Sequence, residues 1–151
     1  MKKEFKLFAL LLVTLISVCF WSCEEDDNNR IPAAQLPSDA KTFLSTYFPS
    51  IKVTSVELNR DNGVFEFDVY LANGYEVSFN ADGEWTDVDA PAGQSIPDGI
   101  APQAITDYIA ANYNGAGIND ISLDSRGYEV ELVSGVDLLF APDGSFLGVD
   151  R

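Results

Sequence analysis

Two halves of this sequence carry the same turn residues at one fixed spacing, and that constrains the fold more than any other feature. Phe79-Asn80-Ala81-Asp82-Gly83 recurs as Phe140-Ala141-Pro142-Asp143-Gly144, and Val88-Asp89 recurs as Val149-Asp150, both 61 positions on. Leu36-Pro37 recurs as Ile96-Pro97, and Leu44-Ser45-Thr46-Tyr47-Phe48 answers to Ile109-Ala110-Ala111-Asn112-Tyr113 at an offset of 65. A longer helix lead-in and a shorter first hairpin in the second copy account for the larger offset. A repeat of this kind is one supersecondary unit that cannot bury its apolar side alone. The two units are assigned to residues 36–90 and 96–151.

Each unit reads as one helix followed by four strands. Ala40, Phe43, Leu44, Tyr47 and Phe48 fall at i, i+3, i+4, i+7 and i+8, a single apolar stripe. Pro37 suits the first helical turn and Pro49 stops the helix. In the second unit Ile105, Tyr108, Ile109 and Tyr113 make the stripe, Pro102 opens it and Asn114-Gly115 ends it. Strand positions then alternate. Phe65, Phe67, Val69 and Leu71 lie opposite Glu66, Asp68 and Tyr70, while Tyr75, Val77 and Phe79 lie opposite Glu76 and Ser78. Tyr128, Val130 and Leu132 are interleaved with Glu129 and Glu131. Strict alternation means one packed face and one wet face. Asn73-Gly74, Asp82-Gly83, Ser134-Gly135 and Asp143-Gly144 mark the hairpins, and Asn-Gly and Asp-Gly point to type I′ turns. The expected fold class is α+β: two tandem repeats, each a helix on one face of its own four-stranded antiparallel sheet, with the copies pairing or abutting.

The first 22 residues stand outside this pattern. Lys2, Lys3 and Lys6 precede an uncharged apolar run from Leu7 to Trp21. That length matches a secretory signal and falls short of the roughly 20 residues that span a bilayer. Ser22-Cys23, placed where the run turns polar, resembles a bacterial lipobox, although Phe20-Trp21 depart from its usual residues. Cys23 is therefore the expected lipidation site, with Cys19 as rival and an unmodified thiol as the plain alternative. Acyl chains would then give membrane attachment without a spanning helix. Residues 23–35, opening with Glu24-Glu25-Asp26-Asp27, read as an acidic tether. The expected location is outside the cytoplasm, on an outer-membrane lipoprotein facing either the cell surface or the periplasm.

Charge narrows the partners. The net charge is −15, and losing Lys2, Lys3, Glu4 and Lys6 with the signal takes it to −17. Such a surface repels nucleic-acid phosphates and anionic headgroups, and favours basic partners or simple solubility. With Cys23 acylated no disulfide framework exists, so packing must supply stability.

Catalytic equipment is sparse. The chain has no histidine, which removes His-dependent triads and His-based metal sites. No phosphate-binding glycine loop occurs. Ser78, Asn80, Asp82, Gly83 and Asp89 come nearest to a calcium loop. Asp stands where a bidentate Glu belongs, however, and the second copy has Leu139 and Ala141 at ligand positions. These residues read as hairpin turns, and no metal, cofactor or catalytic residue is assigned.

The pattern as a whole resembles a known family. A helix ending Tyr47-Phe48-Pro49, hairpins at Asn73-Gly74 and Asp82-Gly83 with Phe79 and Trp85 beside them, and a second set behind a lipoprotein signal resemble the β-lactamase-inhibitor-like, PepSY-like lipoproteins. The resemblance covers residues 36 to 150. Asn114 stands where the family often has Pro, and Ser134 where it often has Asn. It implies an exported tandem helix-on-sheet fold and, by analogy of name, inhibition through a sheet face. It carries over no active-site residue.

The candidate site is consequently a surface. Glu66, Asp68, Tyr70, Glu76, Glu129, Glu131 and Asp137 should point away from the helices, with Trp85 near them, forming a face for a basic or extended protein partner; the alternative is a solvated sheet face with Trp85 in the core. The expected function is a non-enzymatic, lipid-anchored binding module, an inhibitor or modulator of an exported peptidase or hydrolase. The alternatives are an accessory envelope lipoprotein without a tight protein ligand and, more distantly, a carboxylate-dependent hydrolase.

Overall fold

A computed structural model describes residues 29–61 and 63–150. The expected signal peptide, Cys23 and the start of the tether lie outside the described residues. Elements follow in the order α1 (Ser38–Tyr47), β1 (Val53–Asp61), β2 (Val64–Leu71), β3 (Glu76–Asn80), β4 (Trp85–Asp89), α2 (Gln103–Asn112), β5 (Ile118–Asp124), β6 (Gly127–Leu132), β7 (Asp137–Phe140) and β8 (Phe146–Val149). The order is helix, four strands, helix, four strands. The strands, however, form one eight-stranded antiparallel sheet, paired in sequence order from β1 to β8. Of the two arrangements expected for the copies, they pair rather than abut, so the four-stranded units are halves of one sheet and not sheets of their own.

The join is a pairing between the copies. Asp87, Val88 and Asp89 of β4 stand opposite Ser122, Ile121 and Asp120 of β5. The Ala90 N–H donates to the Asn119 carbonyl at 2.9 Å. The Asn119 side-chain amide in turn donates to the carbonyls of Ala90, Pro91 and Gln94 at 3.0, 3.2 and 2.9 Å. The connection between the copies is thereby fastened to β5, and the free edges that two separate sheets would expose are closed against each other.

Directly opposed residues in an antiparallel sheet share a face. Val69, Val77, Val88, Ile121, Val130 and Leu138 are opposed in sequence across six strands, and each is completely buried. Both helices lie on that side. Phe43 of α1 meets Phe79 edge-on, with centroids 5.5 Å apart at 81°; Tyr108 of α2 meets Phe140 at 5.5 Å and 83°. The duplication therefore extends to ring geometry. Ala40 and Leu44 of α1, and Ile105 and Ile109 of α2, are buried as the stripes require. Fully burying a Val, Ile or Phe contributes about 1.5–3 kcal/mol, so this single core is the main stabilising element.

The hairpin turns differ from the type I′ expectation. Gly74 N–H donates to Leu71 C=O, and Leu71 N–H to Tyr75 C=O. The same two bonds recur around Gly83, Gly135 and Gly144. Only the glycine has positive φ, +88° at Gly74 and +87° at Gly83. Each hairpin is a type I turn closed by a left-handed glycine, a three-residue loop with a G1-type bulge. A side chain at Gly83 would also strike α1, since an added Cβ would sit 2.8 Å from Pro37 Cβ and 2.9 Å from the Ala40 nitrogen. At Gly144 an added Cβ would sit 2.9 Å from Ala104 Cβ of α2. The turns thus seat the helices.

Part of the segment expected to be tether belongs to the fold. Arg30 bridges Glu57 on the outer edge of β1, and Ile31 N–H donates to Val56 C=O at 3.0 Å. A 3-10 turn over Ala33–Gln35 then leads into the buried Leu36.

Candidate functional site

The side of the sheet away from the helices carries the charge. Two rows run across it, each made of directly opposed residues. The first is Glu57, Asp68, Ser78, Asp87, Ser122, Glu129 and Leu139. The second is Tyr70, Glu76, Asp89, Asp120, Glu131 and Asp137. In the second row five carboxylates stand side by side on consecutive strands β3 to β7. Opposed Cα atoms in such a ladder are about 4.5–5.5 Å apart, and like charges there are destabilising.

Some carboxylates are held by neutral donors. Asp68 accepts from the Ser78 hydroxyl at 2.7 Å and from the Asn59 amide, and Glu66 accepts from the Thr86 hydroxyl at 3.2 Å. Arg30 approaches Glu57 at 3.7 Å on the rim. Among the described residues no Lys or Arg bridges the carboxylates in the middle of the face, and their proton affinities are raised. Burial, with Asp120, Asp89, Glu76 and Glu66 nearby, pushes the Asp87 carboxyl up to about 7. Burial, with Asp89, Glu131, Glu129 and Asp137 nearby, pushes Asp120 up to about 6. Glu76 is raised by burial, partly offset by its hydrogen bond with Tyr70. Burial and the surrounding carboxylates push the Tyr70 hydroxyl up to about 12. Desolvation and like-charge proximity both favour the protonated form of an acid.

Seven of the sequence-derived residues share this face: Glu66, Asp68, Tyr70, Glu76, Glu129, Glu131 and Asp137. Trp85 does not. It stands opposite Phe79, packs against the core and has Tyr128 as its ring partner at 6.4 Å. The cause is a bulge. Ser78 pairs with Asp87 but Phe79 pairs with Trp85, so β4 spends two residues where β3 spends one. Strict alternation from Val88 would put Trp85 on the open face; the extra residue returns it to the helix side. Conversely, Asp87, Asp89 and Asp120 are central residues that the sequence reasoning passed over. The alternation Asp87-Val88-Asp89 was the signal available for two of them. Around the supposed calcium loop, Asn80 Oδ1 accepts the N–H groups of Asp82 and Glu84 at 3.0 Å each, which is hairpin bonding. Among the described residues no group of three or more acidic side chains converges as a metal site. Among the same residues no helix is long and apolar enough to cross a membrane.

Fold and face together define a helix-backed single-sheet α+β protein with an open acidic surface. The family model described as "Putative beta-lactamase-inhibitor-like, PepSY-like" matches residues 18–68 and 65–148, and the chain belongs to that family. A solved structure described as a "putative periplasmic protein of unknown function" from Bacteroides vulgatus is 34% identical, with TM-score 0.75, covering 80% of this chain and 95% of its own. A second protein from that species, described as a "putative periplasmic protein", is 32% identical with TM-score 0.77, covering 82% and 96%. A "putative calcium-regulated periplasmic protein" from Bacteroides thetaiotaomicron is 30% identical with TM-score 0.76, again covering 82% and 96%. No curated protein matches the chain.

Proposed function

We propose that this protein is an exported, lipid-anchored binding module whose acidic sheet face takes a basic protein partner, and that it acts as an inhibitor or modulator of an exported peptidase or hydrolase rather than as an enzyme. The observation that carries the reading is the row Glu76, Asp89, Asp120, Glu131 and Asp137, unbroken across the join between the copies. Opposed like charges reduce stability. A basic partner would relieve that repulsion on binding and would be drawn in by the field of the whole face. The family's description as inhibitor-like and the absence of histidine from the chain support a role in binding over catalysis. The apolar run ending at Ser22-Cys23 supports attachment through Cys23.

The test is a pull-down of envelope and secreted proteins with wild type and with Glu66→Lys/Glu129→Lys. The expected result is a basic partner retained by wild type, released by added salt and lost from the double variant. A wild-type bait that retains nothing the variant lacks would overturn the proposal. Fatty-acid labelling that persists in Cys23→Ala and is lost in Cys19→Ala would move the anchor to Cys19, and no labelling of wild type would overturn it.

A further inference from the structure

The duplicated aromatic of β4 and β8 is used differently in the two copies. In the second copy Phe146 lies stacked on Tyr108 of α2, with centroids 4.3 Å apart at 15°. In the first copy the corresponding Trp85 has as its ring partner Tyr128, a residue of the other copy, at 6.4 Å and 40°. Phe43, the α1 counterpart of Tyr108, is packed instead with Tyr47 and Phe79. Both Trp85 and Tyr128 are half-buried, so each has one side in the core and one toward solvent. They floor a cleft of about 640 Å³ on the helix side of the sheet, between the β3–β4 and β5–β6 turns.

The walls of this cleft specify charge. Asp39 from the first turn of α1 and Glu84 from the β3–β4 turn line it, Asp124 from the end of β5 borders it, and among the described residues no Lys or Arg lines it. Asp124 is engaged by Arg126 at 2.6 Å. Glu84 accepts from the Asn80 amide at 3.0 Å through one oxygen, and a carboxylate keeps lone pairs for further donors. A tilted indole–phenol floor with anionic walls favours a flat cation. Guanidinium stacks on aromatic faces, is weakly hydrated and presents a planar fork to a carboxylate. Phosphate or carboxylate would be repelled by the same walls.

We infer that the Trp85–Tyr128 cleft is a recognition pocket for an arginine side chain of a partner protein, floored on the helix side of the sheet and distinct from the row Glu76, Asp89, Asp120, Glu131 and Asp137. The inference stands independently of the role assigned to that row.

The chain has two tryptophans, Trp21 and Trp85. In the full chain carrying Trp21→Phe, held in neutral detergent, the indole signal therefore reports Trp85 alone. The probes are N-acetyl-arginine amide and its neutral isostere N-acetyl-citrulline amide, followed by the Trp85 indole N–H resonance and fluorescence. Arginine is expected to shift the signal saturably, with citrulline about tenfold weaker or more. Glu84→Gln and Tyr128→Leu should each weaken arginine several-fold, whereas Glu131→Gln, a change on the acidic row that does not line the cleft, should leave it unchanged. Glu84 is exposed, so its replacement by Gln does not endanger the fold. Equal saturation by citrulline, no saturable shift up to about 50 mM arginine, or arginine binding unaltered in Glu84→Gln and Tyr128→Leu would overturn the inference.

Discussion

Asp89 and Asp120 face each other directly across the join between β4 and β5, one carboxylate from each copy of the repeat. Their opposition lies at the middle of the charged row, flanked by Glu76 on one side and Glu131 on the other. A sheet built only for stability would not place like charges there, because each such pair weakens the ladder. The cost becomes measurable through protons.

Asp87 and Asp120 hold their protons up to about 7 and about 6 in the folded protein, against roughly 3.9 in the unfolded chain. Between those limits the folded state binds more protons than the unfolded one. Stability therefore falls as pH rises from about 4 to about 7 and levels off above. Asp124 and Asp143, lowered by hydrogen bonds from Arg126 and Ser145, act below that window. Thermal melts should give a midpoint several degrees higher at pH 5 than at pH 8. Asp87→Asn should stabilise the protein at pH 8 by about 1 kcal/mol after allowance for partial solvent screening, roughly 4 °C, and should flatten the pH profile. A midpoint that rises from pH 5 to pH 8 would contradict the electrostatics described for this face.

Gly83 and Gly63 share a φ of +87° but differ in surroundings. At Gly63 an added Cβ meets nothing within 4 Å among the described residues, whereas at Gly83 it meets Pro37 and the Ala40 backbone at under 3 Å. Gly63→Ala should cost about 1 kcal/mol through the backbone alone. Gly83→Ala should cost about 2–3 kcal/mol, because α1 must lift from the turn as well. Urea denaturation of the two variants separates the terms. Equal losses would mean that the turn does not seat the helix.

Asn119 donates to three carbonyls of the segment joining the copies. Asn119→Ala leaves those acceptors short of a donor and should destabilise by about 1–3 kcal/mol. Hydrogen exchange should show faster opening near Ala90–Gln94 than in wild type. Unchanged stability and exchange would assign the join to β4–β5 pairing alone.

Because Val88 and Ile121 are opposed and fully buried at the join, the two copies should unfold together. Far-ultraviolet circular dichroism and Trp85 fluorescence, with Trp21 replaced, should report coincident transitions. Ile121→Ala should lower the shared midpoint, at a cost of about 2–5 kcal/mol. Two separated transitions would show that each copy is its own folding unit.

Local periodicity determined much of this molecule from the sequence alone. The i, i+3, i+4 stripes of Ala40-Phe43-Leu44 and Ile105-Tyr108-Ile109 and the alternation of Val69 with Asp68 and Tyr70 depend only on neighbours a few residues apart. Side-chain direction in a helix or strand follows from that spacing, so the helices, hairpins and seven of the face residues were legible. Three outcomes were left to the tertiary structure. Pairing of β4 with β5 joins segments about thirty residues apart, and no local pattern states which edges will meet. That pairing brought Asp89 opposite Asp120 and merged the charges of the two copies into one row. The bulge opposite Phe79 adds one residue to β4, and a shift of one reverses the face of everything beyond it. For that reason Trp85, outward by simple alternation, is found on the helix side beside Tyr128.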